Sequence, residues 1–108
     1  MKATIKEITE AVHGTLLCGD AGQYIENILT DSRESLPASL FVPIIGAKSD
    51  AHDFIGDAFE KGAAATLTSR RENKTDDSHA WIYVSDTVEA LHDIGRFCRS
   101  CAFARGGV

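Results

Sequence analysis

Two short polar clusters hold the residues whose types and spacing could do chemistry: Thr30-Asp31-Ser32-Arg33, and Lys48-Ser49-Asp50-Ala51-His52-Asp53. Each follows an apolar run, which places it where a strand hands over to a loop. In open α/β sheets ligands bind just beyond the carboxyl ends of the strands, so if the two strands are parallel both clusters face one ligand. Arg33 and Lys48 suit a phosphate or pyrophosphate, the first through a bidentate fork and the second as a point charge. Ser32 and backbone groups suit the edge of a base, and a helix opening at Asp53 adds free N–H groups and positive potential. A plainer reading stands beside this one. Asp31 and Arg33 would form a local ion pair, Asp50 and Asp53 would be turn and cap residues, and His52 would be structural.

Catalytic machinery is harder to find. Neither cluster contains a nucleophile beside a base, a carboxylate pair flanking a cleft, or two His at i, i+4. No G-x-x-x-x-G-K-[ST] phosphate loop occurs. The residues point to a binding domain with no catalytic or metal centre of its own. Cys98-Arg99-Ser100-Cys101 matches C-x-x-C, but it falls at the far end of the last helix, where the dipole has the wrong sign to activate a thiol. No second pair completes a zinc site, so these cysteines are read as helix-face packing. Asn73-Lys74-Thr75 matches a glycosylation sequon and is read as a polar loop.

The elements that must position the clusters follow from spacing. Thr4-Ile5-Lys6-Glu7 is a capping box, with Ile5, Ile8, Ala11 and Val12 at helical spacing and Gly14 as the stop. Thr15 to Cys18 is β-prone, Gly19 to Gly22 is a turn, and Tyr24 to Leu29 reads as one strand. Leu40 to Ile45 is the most strand-like run, and Pro43 requires a free side or a bulge there. Asp53 is placed to cap a helix carrying Phe54, Ile55, Ala58 and Phe59, with Gly62 at its C′ position and a strand from Ala63 to Thr68 beyond it. Strand, helix and strand make one βαβ unit. Ser69 to Ser78 is a solvated loop, Trp81 to Val84 a strand, and Asp86 caps a last helix, ending near Phe103, whose inner face is Val88, Leu91, Ile94, Gly95 and Cys98. The expected fold class is α/β, a small mixed sheet of four to five strands with about three helices.

At 108 residues the chain has room for one domain. Eleven Lys and Arg against sixteen Asp and Glu leave a net charge of −5 with no dense basic run, which argues against nucleic acid or an anionic membrane as partner. Its apolar runs are far shorter than the ~20 residues of a membrane span. Glu7 interrupts the place where a secretion signal needs its apolar stretch, and three cysteines are an odd number for a disulfide framework. A cytoplasmic location is expected.

Thr30-Asp31-Ser32-Arg33, Leu40-Phe41-Val42-Pro43, Gly46, Asp50-Ala51-His52-Asp53-Phe54-Ile55, Ala58 and Gly62-Ala63-Ala64 together resemble the N-terminal domain of the Mur ligases of peptidoglycan synthesis. The Asp-x-His-Asp-Phe form is more similar to the branch that adds D-alanyl-D-alanine than to the branch that adds the third peptide residue, which commonly has Arg in place of this His. The resemblance implies a three-domain ligase in which residues 1–108 hold the UDP part of UDP-N-acetylmuramoyl-tripeptide. A central domain, absent here, would use ATP and Mg²⁺ to make an acyl phosphate that D-alanyl-D-alanine attacks, and this domain alone would be inactive. By position the resemblance makes Ser32, Arg33, Lys48, Asp50 and His52 substrate-binding. Ala38-Ser39 stands where the family usually has Gly-Asp, so a turn that tolerates positive φ in relatives must be managed differently here, and Ala51 replaces the commoner Gly. Two alternatives stay open: a stand-alone nucleotide-sugar-binding module on the same fold, and the ligase adding the third residue.

Overall fold

Strand β1 (Ala3–Thr4) passes directly into helix α1 (Ile5–Ala11), and the expected capping box closes that junction. Thr4 Oγ1 accepts the Glu7 N–H at 3.1 Å, and Glu7 Oε1 accepts the Thr4 N–H at 2.9 Å. The helix ends in a Schellman motif: the His13 N–H donates to the Glu10 carbonyl and the Gly14 N–H to the Thr9 carbonyl. The left-handed residue is His13, with φ of 56°, rather than the glycine. Gly14 serves a different purpose, because a Cβ there would stand 2.7 Å from the Tyr83 carbonyl oxygen. Helix α2 (Ile55–Glu60) ends the same way, with Gly62 at φ 103° in the expected C′ position. The computed structural model describes residues 2–45, 50–70, 74 and 77–100, with side chains described as far as residue 97.

The remaining strands are β2 (Thr15–Cys18), β3 (Tyr24–Ile25), β4 (Asn27–Leu29), β5 (Ser39–Phe41), β6 (Ala65–Thr68) and β7 (Ala80–Tyr83). Five of them form one mixed sheet in the order β2-β7-β6-β5-β4, in which only β2 runs antiparallel to its neighbour. β5, α2 and β6 are the expected βαβ unit, and with helix α3 (Thr87–Ser100) the chain is the expected α/β domain.

Two strands differ from expectation. Tyr24 to Leu29 is not one strand, because the Glu26 and Asn27 N–H groups both turn to the Ala38 carbonyl, at 2.7 and 3.2 Å. Tyr24–Ile25 therefore pairs with β1 in a separate two-stranded sheet, while Asn27–Leu29 pairs with β5. The run from Leu40 to Ile45 leaves the ladder early. The Val42 N–H still reaches the Leu29 carbonyl at 2.7 Å, but Pro43 has no N–H to offer, and Ile45 makes only an isolated bridge to Asp50.

Side chains alternate across the sheet, so each face has its own core. Leu40, Val42, Ala65, Leu67, Ala80 and Ile82 face α1 and α3, where they meet Ile5, Ile8, Ala90 and Ile94. Leu29, Phe41 and Trp81 face the other way, onto Ile55 and Ala58 of α2. Asp86 caps α3 as expected, its Oδ1 accepting the Val88 and Glu89 N–H groups at 2.8 and 3.2 Å. The buried face of α3 is Ala90, Leu91, Ile94 and Phe97; Val88 points outward, which corrects the expected face by part of a turn. Among the described residues no helix is long and apolar enough to cross a membrane. The side chain of Cys98, and Asn73, Thr75, Cys101 and Phe103, lie outside what is described.

Candidate functional site

β4 and β5 are parallel and in register, with Leu29 opposite Phe41, so the segments that follow them emerge at the same edge of the sheet. β6 is parallel to β5 as well and adds Ser69 and Arg70 at that edge. Between these segments lies a cleft of about 510 Å³, lined by Thr30 to Arg33 on one side and by Phe41, Ala51, Phe54 and Asp57 on the other. This is within the usual range of ligand pockets.

Arg33 stands on the rim with its side chain 87% exposed. Asp31 holds it: Oδ1 accepts Nε–H at 3.0 Å and Oδ2 accepts an Nη2–H at 2.8 Å, while Oδ1 also accepts the Arg33 backbone N–H at 2.9 Å. These bonds lower the Asp31 carboxyl from 3.8 to about 2 and raise the guanidinium. The local pair anticipated as the plainer reading thus exists, and the same two residues line the cleft. Phe54, 42% exposed at its mouth, and Asp57 were not foreseen as lining residues. Phe54 reads in the sequence as part of the apolar helix face; its exposure shows only once the turn preceding α2 is known.

Asp50 and His52 stand behind the cleft rather than in its wall. Asp50 caps a 3₁₀ turn (Ala51–Phe54), its Oδ1 accepting the His52 N–H at 2.9 Å. Asp53 therefore lies inside the turn and does not cap α2, whose N-cap residue is Phe54 and makes no side-chain cap hydrogen bond. The His52 side chain is completely buried: Nδ1 is 2.6 Å from Asp50 Oδ1, and Nε2 accepts the Ser69 N–H at 3.0 Å. Arg70 pairs with Asp50 Oδ2. Burial would raise the Asp50 carboxyl, but the His52 N–H, the His52 ring and Arg70 together outweigh it and hold the carboxyl below its ordinary value. Ser69 and Arg70, read in sequence as the start of a solvated loop, are bound into this network. Lys48 lies outside the described residues.

A family model described as "Mur ligase family, catalytic domain" matches residues 24–97, which spans the four parallel strands of the large sheet, the cleft and the network behind it. The chain belongs to the Mur ligase family. The UDP-N-acetylmuramoyl-tripeptide:D-alanyl-D-alanine ligase of Bacillus subtilis is 38% identical over 97 residues, covering 89% of this chain and 21% of the relative. The UDP-N-acetylmuramoyl-L-alanyl-D-glutamate:2,6-diaminopimelate ligase of Alkaliphilus metalliredigens is 33% identical over 91 residues, 84% of this chain and 18% of that protein. A solved structure of the D-alanyl-D-alanyl-adding ligase from Acinetobacter baumannii superposes with a TM-score of 0.80 at 28% identity, covering 93% of this chain and 22% of that one. This Mur ligase chain thus spans about a fifth of the length of the relatives it matches.

Mur ligases are ATP-dependent, so ATP and Mg²⁺ are implied for the family. Among the described residues no group of three His, Cys, Asp or Glu side chains is placed to hold a metal ion, and the Asp31 carboxylate at the cleft rim is committed to Arg33.

Proposed function

We propose that this Mur ligase chain is the domain that holds UDP-N-acetylmuramoyl-tripeptide for a cytoplasmic ligase adding D-alanyl-D-alanine to the peptidoglycan precursor. The observation that carries the reading is the in-register parallel pairing of β4 with β5, which gathers Ser32, Arg33, Ala51 and Phe54 around one cleft. Arg33, already oriented by Asp31, meets the diphosphate, with Lys48 as the second cation. The exposed ring of Phe54 offers an apolar face to the uracil or ribose. Ser32 and Asp57 suit the hydroxyl and N–H groups of the nucleoside. Asp50 and His52 serve the same site from behind.

In this reading the domain contributes affinity and no turnover. ATP, Mg²⁺ and D-alanyl-D-alanine are handled by other parts of a longer enzyme, where the substrate carboxylate becomes an acyl phosphate and then an amide. The higher identity to a D-alanyl-D-alanine-adding relative, and the structural likeness to another, support this branch over the diaminopimelate-adding one. A calorimetric titration of the chain with UDP-N-acetylmuramoyl-tripeptide tests the reading. Saturable binding that Arg33→Ala weakens by about tenfold or more, with no ATP hydrolysis by the chain alone, is the expected result. No heat at saturating ligand overturns it.

A further inference from the structure

We propose that His52 is a positioning residue of the cleft: a neutral imidazole protonated at Nδ1 that pins the segment after β5 to the end of β6 without touching the ligand. The inference deepens the nucleotide-sugar reading of the cleft and rests on it for its effect on affinity. It begins from hydrogen-bond polarity. A backbone N–H can only donate, so the Ser69 N–H at 3.0 Å from Nε2 requires the lone pair to be on Nε2. The ring proton is then on Nδ1, 2.6 Å from Asp50 Oδ1, which accepts it. The Ser69 hydroxyl, 3.1 Å from Nε2, is a second donor to the same atom.

Asp50 ties this contact to the chain around it. The same Oδ1 caps the 3₁₀ turn through the His52 N–H, and Oδ2 pairs with Arg70, the residue after Ser69. Four residues from two strand ends thus close a network around a ring that water does not reach. The two cleft-lining residues Ala51 and Phe54 sit on the turn that this network fixes.

The order Asp50, His52, Ser69 has the connectivity of a hydrolytic triad, but the surroundings argue for a strut. Nε2 is shared with a backbone N–H, the ring is buried, and neither His52 nor Ser69 lines the cleft, so the hydroxyl is not presented to a ligand held there. A buried ring with both nitrogens satisfied holds its neighbours in one arrangement.

The test uses the whole chain, ¹⁵N-labelled, with UDP as probe. Long-range ¹H–¹⁵N correlations should show His52 neutral with its proton on Nδ1; a proton on Nε2, or a charged ring at neutral pH, overturns the proposal. His52→Ala should shift the amides of Ala51 to Phe54 and of Ser69 while leaving those of α3 in place, and should weaken UDP about tenfold, the effect of one lost buried hydrogen bond. His52→Gln, which can restore an acceptor for Ser69, should stay within about threefold of the parent. A folded His52→Ala with parental amide positions and parental affinity contradicts the strut. If the parent chain itself binds no UDP, the nucleotide-sugar reading fails, while the tautomer and the amide shifts still decide the strut.

Discussion

Asp31 grips the guanidinium of Arg33 through both carboxylate oxygens, at 3.0 and 2.8 Å, although the arginine side chain is almost fully in water. An exposed ion pair of this kind adds little to stability. Its consequence is orientation, because a planar fork held along one edge presents its other edge in a fixed direction. Arg33→Ala is expected to weaken UDP binding by about tenfold or more, and Asp31→Asn, which keeps one acceptor, by about threefold. Isothermal titration of the two variants checks the ranking, and equal losses would contradict it. Because the contact is exposed, UDP affinity should also fall as salt rises.

The same pair gives a pH signature. The Asp31 carboxyl is lowered from 3.8 to about 2 by the Arg33 hydrogen bonds, so its contribution to the folded state is complete above pH 3.8 and is lost as pH falls toward 2. A ¹³C carboxyl titration should find Asp31 ionised at pH 3, and Arg33→Ala should return its midpoint toward 3.8. A midpoint unmoved by that substitution would separate the shift from Arg33.

The end of α1 provides a paired test of backbone conformation. His13 occupies the left-handed position at φ 56°, and Gly14 packs against the carbonyl of Tyr83. His13→Gly should raise the stability of the chain by about 0.5–1 kcal/mol. Gly14→Ala should lower it by about 1–3 kcal/mol, because the new methyl meets backbone that cannot move aside. Urea unfolding of both variants decides the matter, and a neutral Gly14→Ala would refute the close approach.

Ala38 takes a left-handed conformation at φ 48° although it is not glycine. The strain is held by its carbonyl, which accepts the N–H groups of both Glu26 and Asn27. Ala38→Gly should therefore stabilise the chain by about 1 kcal/mol without altering the turn. A loss of stability in thermal unfolding would show that the left-handed alanine is not a cost.

Phe54 is half in water and does not belong to either core, so its removal separates binding from folding. Phe54→Ala should leave the melting temperature nearly unchanged and weaken UDP by about tenfold, in line with the loss of a base-stacking or apolar ring contact. A large drop in melting temperature with unchanged affinity would place Phe54 in the fold and not in the site.

Local signals in the sequence carry over well into this structure. The Thr4–Glu7 box, Gly62 after α2, Asp86 before α3 and the apolar runs of β5 to β7 each depend on neighbours within a few residues. What sequence spacing does not reveal are contacts made across the sheet. Tyr24 to Leu29 divides between two sheets because the Ala38 carbonyl, a loop away, takes the N–H groups of Glu26 and Asn27. The cap falls on Asp50 and serves a 3₁₀ turn, while α2 beyond it has no side-chain cap, because that turn precedes the helix. In the site, Ser32 and Arg33 are legible as residues after a strand and do line the cleft. The setting of His52 is not legible, since its partner Ser69 is seventeen residues away and polar enough to pass for loop.

In the proposed reading the edge beyond β4 and β5 receives a uridine diphosphate, and amide chemical-shift mapping of the ¹⁵N-labelled chain during a UDP titration is its sharpest test. Saturable shifts concentrated at Thr30 to Arg33 and Ala51 to Asp57 are expected. Shifts confined to the groove of His13, Asp93 and Arg96 between α1 and α3, or none at saturating UDP, would contradict it.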